Sequence, residues 1–160
     1  MNGGLRVERK SFDDPVVQGL VEELQREFLQ RYGGPDETHL DVPMFERPSG
    51  AFFVGFSADG PVARGGWRFR PDVQALGGEV AAEIKRMYVV PRAQRRGHAR
   101  ALLAHLEQTA REAGADLMVL ETGVMQPEAI ALYESSGYVT VHGFGIYKDS
   151  DLSRYLGKRL

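Results

Sequence analysis

The sequence predicts an α+β fold, and three observations support this prediction. Short stretches in which apolar and polar residues alternate are typical of strands, and longer stretches with apolar residues every three or four positions are typical of helices. These stretches follow one another as strand, helix, three strands, helix, strand, helix and two closing strands. At 160 residues the chain has the length expected of one domain.

The N-terminal part predicts one strand and one long helix. Residues 5 to 9 alternate apolar and charged side chains, as a strand does. Asp14 is a typical helix N-cap, and Pro15 suits the first helical position. An apolar stripe then continues to about Tyr32 and comprises Val17, Leu20, Val21, Leu24 and Phe28. Residues 33 to 50 contain three prolines and predict a loop with at most a helical turn.

The middle of the chain predicts three strands. Residues 51 to 57 and 62 to 70 flank Asp59-Gly60, a dipeptide that favours the tight turn of a β-hairpin. Residues 80 to 90 form the next strand. Trp67, in the second strand of the hairpin, either packs in the core or lines a pocket for the substrate.

The C-terminal part alternates helices and strands. A helix is expected from about Gly97 to Gly114, a strand over residues 117 to 120, and a helix from Pro127 that Gly137 closes. Residues 138 to 141 and 144 to 147 are predicted as the closing strands. The tail after Lys148 is expected to be helical at best, and either to fold over the site or to form a dimer contact.

Composition limits the classes of function. The chain is 42% apolar and 26% charged with a net charge of −2, which is typical of a globular domain and argues against nucleic acid as the main partner. The absence of cysteine excludes disulfides and thiolate chemistry. No run of residues is apolar enough for an export signal or a membrane span, so we expect a cytoplasmic protein with no membrane partner.

The four histidines show no metal-ligand spacing, so no metal site is expected. His105 lies within a predicted helix, where we expect it to pack or to lie at the surface. His98 is expected to face solvent.

The segment VPRAQRRGHARALL, residues 90 to 103, has the strongest functional signal. It places a strand end, four arginines and Gly97 immediately before a helix. The first backbone N–H groups of a helix have no internal acceptors and carry the positive end of its dipole, so such a junction commonly binds phosphate. We therefore expect a small anionic ligand here.

Three segments resemble the GCN5-related N-acetyltransferase (GNAT) family. QRRGHA, residues 94 to 99, matches the family's Gln/Arg-x-x-Gly-x-Gly/Ala signature, and AEIKRMYVVP ends at the right distance before it. QPEAIALYESSGY, residues 126 to 138, is similar to a second family signature. The resemblance covers roughly residues 51 to 148. It implies the GNAT fold, a mixed central sheet of about six to seven strands with helices on both faces.

The resemblance also implies acetyl-CoA as cosubstrate. Backbone amides of residues 95 to 99 would wrap its pyrophosphate, with Gly97 allowing close approach. Arg92 and its neighbours would add positive charge, although solvated surface arginines are the alternative. Gln126 stands where the family commonly has asparagine. The implied cofactor-binding residues are Met87, Tyr88, Val89, Gln94, Arg95, Arg96, Gly97, His98, Ala99 and Gln126.

Two catalytic roles follow from the same resemblance. Glu83 stands where a glutamate acts as general base, with Glu121 and Glu79 as competitors. Its alternative is to face solvent or to pair with the basic residues that follow it. Tyr133 stands where the family's tyrosine donates a proton to the leaving thiolate. Its alternative is a core aromatic.

The acceptor is expected to be a small amine, because the chain has little beyond the catalytic domain with which to dock a protein. An acidic set between the first helix and the hairpin could attract a cation or could be a solvated loop; it comprises Asp36, Glu37, Asp41 and Glu46. A protein or peptide acetyltransferase and a non-catalytic acyl-CoA-binding module are the alternatives.

Overall fold

The computed structural model describes residues 4–32, 42–123, 127–144 and 151–160, and within these ranges the chain builds one seven-stranded mixed sheet. The strand order is β1-β2-β3-β4-β5-β7-β6. The elements are β1 (Arg6–Arg9), α1 (Pro15–Tyr32), a 3-10 turn (Val42–Phe45), β2 (Gly50–Ser57), β3 (Gly60–Phe69), β4 (Ala81–Val89), a 3-10 turn (Pro91–Ala93), α2 (His98–Glu112), β5 (Leu117–Gly123), α3 (Pro127–Ser135), β6 (Val139–Thr140) and β7 (Ser153–Arg159).

Strands β1 to β4 form an antiparallel meander, as the alternation predicts. The β2–β3 hairpin turns at Asp59-Gly60, where Gly60 has a φ of 97° that a side chain would disfavour. The mixed sheet of seven strands, with helices on both faces, agrees with the fold that the resemblance implies.

Helix α1 packs on one face of the sheet, which we call the α1 face. The Asp14 carboxylate accepts a hydrogen bond of 2.9 Å from the Val16 amide and so caps the helix where the sequence predicts. Val17 and Leu20 are buried, and the aromatic rings of Phe45 and Phe52 pack edge to face on the same side. The side chains of Val21, Leu24 and Phe28 lie outside the described residues.

Helix α2 packs on the opposite face, which we call the α2 face. Its apolar stripe buries Leu102, Leu103 and Leu106. Trp67 is a core residue: its indole donates a hydrogen bond of 3.0 Å to the Thr109 hydroxyl. His105 packs against the Phe53 ring with centroids 4.8 Å apart, and burial lowers the pKa of its imidazole.

Strands β4 and β5 are parallel neighbours that separate part of the way along. They pair over only three positions, ending at Glu83 opposite Val119, although β4 continues to Val89 and β5 to Gly123. A β-bulge interrupts the β3–β4 pairing near Arg86, whose φ is 59°. The result is an opening in the middle of the sheet, which we call the β4–β5 opening.

The prediction for the C-terminal tail was wrong. Ser153–Arg159 is neither helical nor a surface flap; it is strand β7, which pairs with β5 over seven positions and also with β6. Its centre is buried because it lies between two strands. Of the closing strands predicted, the first is shortened to β6, Phe144 is not in a strand, and residues 145 to 147 lie outside the described residues.

Candidate active site

The loop between β4 and α2 has the geometry of an anion-binding site. Arg95 and Gly97 have left-handed backbones, with φ of 65° and 81°, and the Gln94 side chain donates a hydrogen bond of 2.9 Å to the Val89 carbonyl. Within the described part of the chain, the amides of residues 95 to 99 donate no hydrogen bond. Unpaired amides at the start of a helix, with no Cβ on Gly97, suit a pyrophosphate.

The predicted arginines border this loop. Arg92, Arg95 and Arg96 are all exposed. Arg96 lies 3.6 Å from the Asp59 carboxylate, a surface ion pair that a bound phosphate could displace at little cost. Arg100 instead donates hydrogen bonds of 2.9 and 3.1 Å to Ser135 and Ser136, and so ties α2 to the end of α3.

The prediction that His98 faces solvent was wrong. It is 3% exposed and is the first residue of α2, where the chain turns inward after Gly97. Ala99 beside it is half-buried. Of the predicted cofactor-binding residues, Gln126 lies outside the described residues. The same is true of His39 and of Asp36, Glu37 and Asp41 in the acidic set.

Met87, Tyr88 and Val89 follow the bulge of β4 and border the β4–β5 opening. Tyr88 and Val89 pair with β3 on one side, while the pairing with β5 has already ended. A Cβ added to Gly65 would lie 3.1 to 3.3 Å from atoms of Met87, and it would point to the α2 face. Met87 therefore lies on the α2 face. Because the pairing with β5 has ended here, this part of β4 is the edge on which an extended ligand arm would add in the manner of a strand.

Tyr133 reaches the same face from α3. It is buried, its hydroxyl lies 3.9 Å from the Met87 sulfur, and its ring packs against Tyr138 with centroids 5.6 Å apart. Burial raises the pKa of the Tyr133 phenol above its usual value. The hydroxyl therefore stays protonated near neutral pH and is placed to donate beside β4.

Glu83 lies at the last position at which β4 pairs with β5, and it is 3% exposed. Its Oε1 accepts hydrogen bonds from Arg70 at 2.7 Å and from Arg68 at 3.2 Å, and its Oε2 lies 3.8 Å from the Lys85 ammonium. Arg70 also holds Asp72 through two bonds of 2.8 Å and keeps the pKa of that carboxyl at about 2. We call these five residues the Glu83 cluster.

Arg68 and Arg70 are the residues that sequence reasoning missed. It expected Glu83 to pair, if at all, with the basic residues that follow it along β4, whereas the two arginines come from the neighbouring chain segment. Alternation along β3 is the signal that could have found them, because Arg68 opposes Glu83 in the register.

The competing glutamates lie elsewhere. Glu121 is half-buried on β5, two residues beyond the last β4–β5 pair, and accepts a hydrogen bond of 2.8 Å from Ser153. Glu79 is exposed before β4 begins, where its amide bonds Asp116, so it lies at the end of the strand away from the opening.

The described residues hold no group of three or more His, Asp or Glu side chains arranged to bind a metal ion. Of the helices in the described ranges, none combines the length and apolar character that crossing a bilayer requires.

Comparison with known proteins gives consistent results. The profile of the Acetyltransferase (GNAT) family matches residues 17–138. An IAA acetyltransferase of Azospirillum brasilense is 35% identical over 147 residues, which are 92% of each chain.

Two solved structures have the same fold. One is a protein from Klebsiella pneumoniae described as an acyl-CoA N-acyltransferase; it is 26% identical with a TM-score of 0.78 and covers 98% of this chain and 97% of its own. The other is a GNAT family acetyltransferase from Elizabethkingia anophelis with acetyl-CoA bound; it is 15% identical with a TM-score of 0.64 and covers 98% of both chains. Because the family profile covers residues 17–138 and the Azospirillum relative is similar over nearly the whole length, the chain belongs to the GNAT family of acetyltransferases, which use acetyl-CoA as acyl donor.

Proposed function

We propose that residues 1 to 160 act as one acetyltransferase domain that moves an acetyl group from acetyl-CoA directly to a primary amine of a small molecule within a ternary complex. The observation that carries the proposal is the β4–β5 opening, which has the anion-binding loop at one end, Tyr133 on one face and Glu83 on the other. The cysteine-free composition supports a reducing, cytoplasmic setting. A homodimer stays a prediction.

The anion-binding loop would hold the CoA pyrophosphate through the amides of residues 95 to 99, with Arg95 and Arg96 adding charge. The pantetheine arm would then lie along residues 87 to 89 of β4. In this placement the thioester would lie between Tyr133 and the Glu83 cluster. The acceptor would approach it from the α1 face.

Glu83 is our proposed general base. An alkylamine is mostly protonated at neutral pH and must lose a proton before it attacks. Oε2 is the oxygen for this role, because Oε1 is already held by Arg68 and Arg70. The amine nitrogen then forms its bond to the acetyl carbon and releases its second proton to solvent, and the carbon–sulfur bond breaks. Tyr133 donates its hydroxyl proton to the departing thiolate and regains a proton from solvent.

The Tyr133→Phe variant tests this proposal. CoA release would be measured with polyamines, amino acids, aminoglycosides, peptides and the IAA named in the Azospirillum relative. Since general acid catalysis contributes about 10² or more, we expect turnover to fall by about that factor while calorimetry shows that acetyl-CoA binding is retained.

Tyr138→Phe is the matched control. Tyr138 is also buried, but its hydroxyl donates to Glu107 at 2.7 Å and not toward β4. We expect it to lose stability while it keeps turnover close to wild type. Equal losses of turnover in both variants would contradict the acid role. Binding of acetyl-CoA without transfer to any acceptor would contradict the enzymatic proposal, and acetylation of peptides alone would contradict the small acceptor.

A further inference from the structure

We propose that the acceptor carries a carboxylate beside its amine and that Lys85 binds this carboxylate. The inference rests on the proposed function, since it specifies the acceptor of the same site. It assigns Lys85 a role in choosing the substrate, and it names the substrate class as amino acids or close analogues.

The first argument is the environment of the Lys85 ammonium. Lys85 is 8% exposed, yet its only charged partner among the described residues is Glu83 Oε2, 3.8 Å from Nζ and beyond hydrogen-bond distance. Hydrogen bonds from this ammonium are absent throughout the described ranges. The Nζ atom is not one of the fully enclosed polar atoms without a partner, so it stays open to a ligand at the end of a buried stem, and a bound anion would supply acceptors for its donors.

The second argument is charge. In the Glu83 cluster three cations face two carboxylates. The Asp72 carboxylate accepts two hydrogen bonds from Arg70, through Nε and Nη2. Glu83 Oε1 accepts one hydrogen bond from each of the two arginines. One positive charge therefore remains, and it is located at Lys85. A single carboxylate balances it, whereas a phosphate dianion would exceed it.

The third argument is position. Lys85 opposes Gly66, and a Cβ on Gly66 would meet Phe52 and Phe45, so the Lys85 side chain lies on the α1 face. It lies two residues beyond the last β4–β5 pair, where the opening has begun. Tyr133 lies on the other face, so the α1 face is the side left for the acceptor.

These three arguments together define how an amino acid would bind. Its carboxylate would accept hydrogen bonds from the Lys85 ammonium. Its amine, one carbon away in an α-amino acid, would then lie beside Oε2 of Glu83, the oxygen proposed to take the proton. The Lys85 ammonium would thus face the carboxylate of the amino acid, and the Glu83 carboxylate would face its amine.

The experiment compares each of the twenty standard amino acids with its carboxamide, which keeps the amine and side chain but removes the carboxylate. The readout is kcat/KM for CoA release, taken as the ratio of acid to carboxamide. The ratio is then compared among variants, so the different basicity of the two amines cancels. We expect wild type to favour at least one acid about 10-fold or more, the size of a charge-assisted hydrogen bond.

Three variants sharpen the test. Lys85→Met should reduce the ratio by about 10-fold or more, mainly through KM, because the charge-assisted bond is lost. Lys85→Arg keeps the charge and should restore most of the ratio. Arg111→Met removes an exposed cation from α2 and should leave the ratio as in wild type. A merely structural Lys85 would change the rates for acid and carboxamide alike and leave the ratio unmoved.

The outcomes separate this inference from the proposed function. Carboxamides that react as well as acids, or a ratio that Lys85→Met leaves unchanged, would overturn the inference alone. No acetylation of any amine while acetyl-CoA binds would overturn the proposed function and this inference with it. If circular dichroism shows that Lys85→Met fails to fold, Lys85→Gln takes its place, and a ratio of acid to carboxamide equal to that of wild type rejects the inference.

Discussion

The two oxygens of the Glu83 carboxylate have different roles, one structural and one proposed to be catalytic. Oε1 ties β4 to β3 through Arg68 and Arg70, and Oε2 faces the β4–β5 opening. A base held on one side by two guanidiniums has a fixed orientation, which favours proton transfer from a positioned amine. The same contacts also make Glu83 a structural residue, so loss of activity alone does not establish a base.

Glu83→Gln and Glu121→Gln distinguish the two candidate bases. We expect Glu83→Gln to lower kcat by about 10² or more, since the amide cannot accept the proton. The rise of kcat/KM with pH should then move to the higher pH at which the amine loses its proton without help. Glu121→Gln is expected to lower kcat by less than about 10-fold and to keep the wild-type profile. Rate profiles over pH provide the measurement, and a shifted rise in Glu121→Gln would move the role to Glu121.

At this scale the sequence predicts side chains that stand in a motif. Gly97 and Tyr133 could be named as candidates because they stand in segments that resemble the family's signatures. Arg68 and Arg70 could not, because their role depends on which strand pairs with β4 and in which register. His98 was misjudged for a related reason: helix geometry after Gly97, and not the motif, determines that it is buried.

At the scale of elements, the junction of β4 and α2 is built from two left-handed residues and a helix start. Arg95 has a φ of 65°, which is uncommon outside glycine, and Gly97 follows at 81°. Alternating handedness of this kind turns successive amides toward one point and forms an anion-binding concavity. The strain at Arg95 is consistent with a loop held in the shape of its ligand.

Gly97→Ala tests this junction, with Gly114→Ala as its matched control. Both glycines flank α2, both have positive φ, and a Cβ at either would meet nothing within 4 Å. Each alanine is strained by about 1 kcal/mol, so we expect similar losses in thermal stability. Only Gly97→Ala should weaken acetyl-CoA binding in calorimetry, by about 5-fold, since a free loop that relaxes from the left-handed conformation would have to regain about 1 kcal/mol of strain on binding. Equal affinities in the two variants would refute the phosphate-binding role.

At the scale of the whole molecule, β7 holds β5 and β6 together on one side of the β4–β5 opening. It pairs with β5 over its whole length and brings β6 alongside. Lys158 on β7 also contacts Glu107 on α2 at 3.1 Å, and Glu107 accepts from Tyr138. The last strand of the chain therefore supports β5 on the side away from the opening.

Leu156→Ala and Leu152→Ala test that position with the same substitution four residues apart. Leu156 is 2% exposed in β7, whereas Leu152 is 51% exposed just before it. Removing a buried leucine side chain costs about 2–5 kcal/mol, which lowers Tm by roughly 5–15 °C in a chain of this size. We expect Leu152→Ala to change Tm little. Similar Tm values would indicate that the tail lies on the surface, as the sequence suggested.

The overall architecture was largely predictable because most elements carry their own signals. The Asp59-Gly60 turn, the Asp14 cap and the α2 stripe are local patterns, and each lies where it was predicted. The tail failed because three basic residues conceal its period and its burial comes from two partner strands. The parting of β4 from β5 is likewise a tertiary feature without a local signal.

The parting of β4 and β5 has a consequence for the behaviour of the protein in storage. Beyond Glu83, β4 no longer pairs with β5 among the described residues, so this side of β4 is an edge within the sheet. Strand edges of this kind can recruit a strand from another chain and begin aggregation. Acetyl-CoA lying along β4 would occupy that edge. Bound cosubstrate would then block this edge, and concentrated preparations of the protein should aggregate more slowly when acetyl-CoA is present.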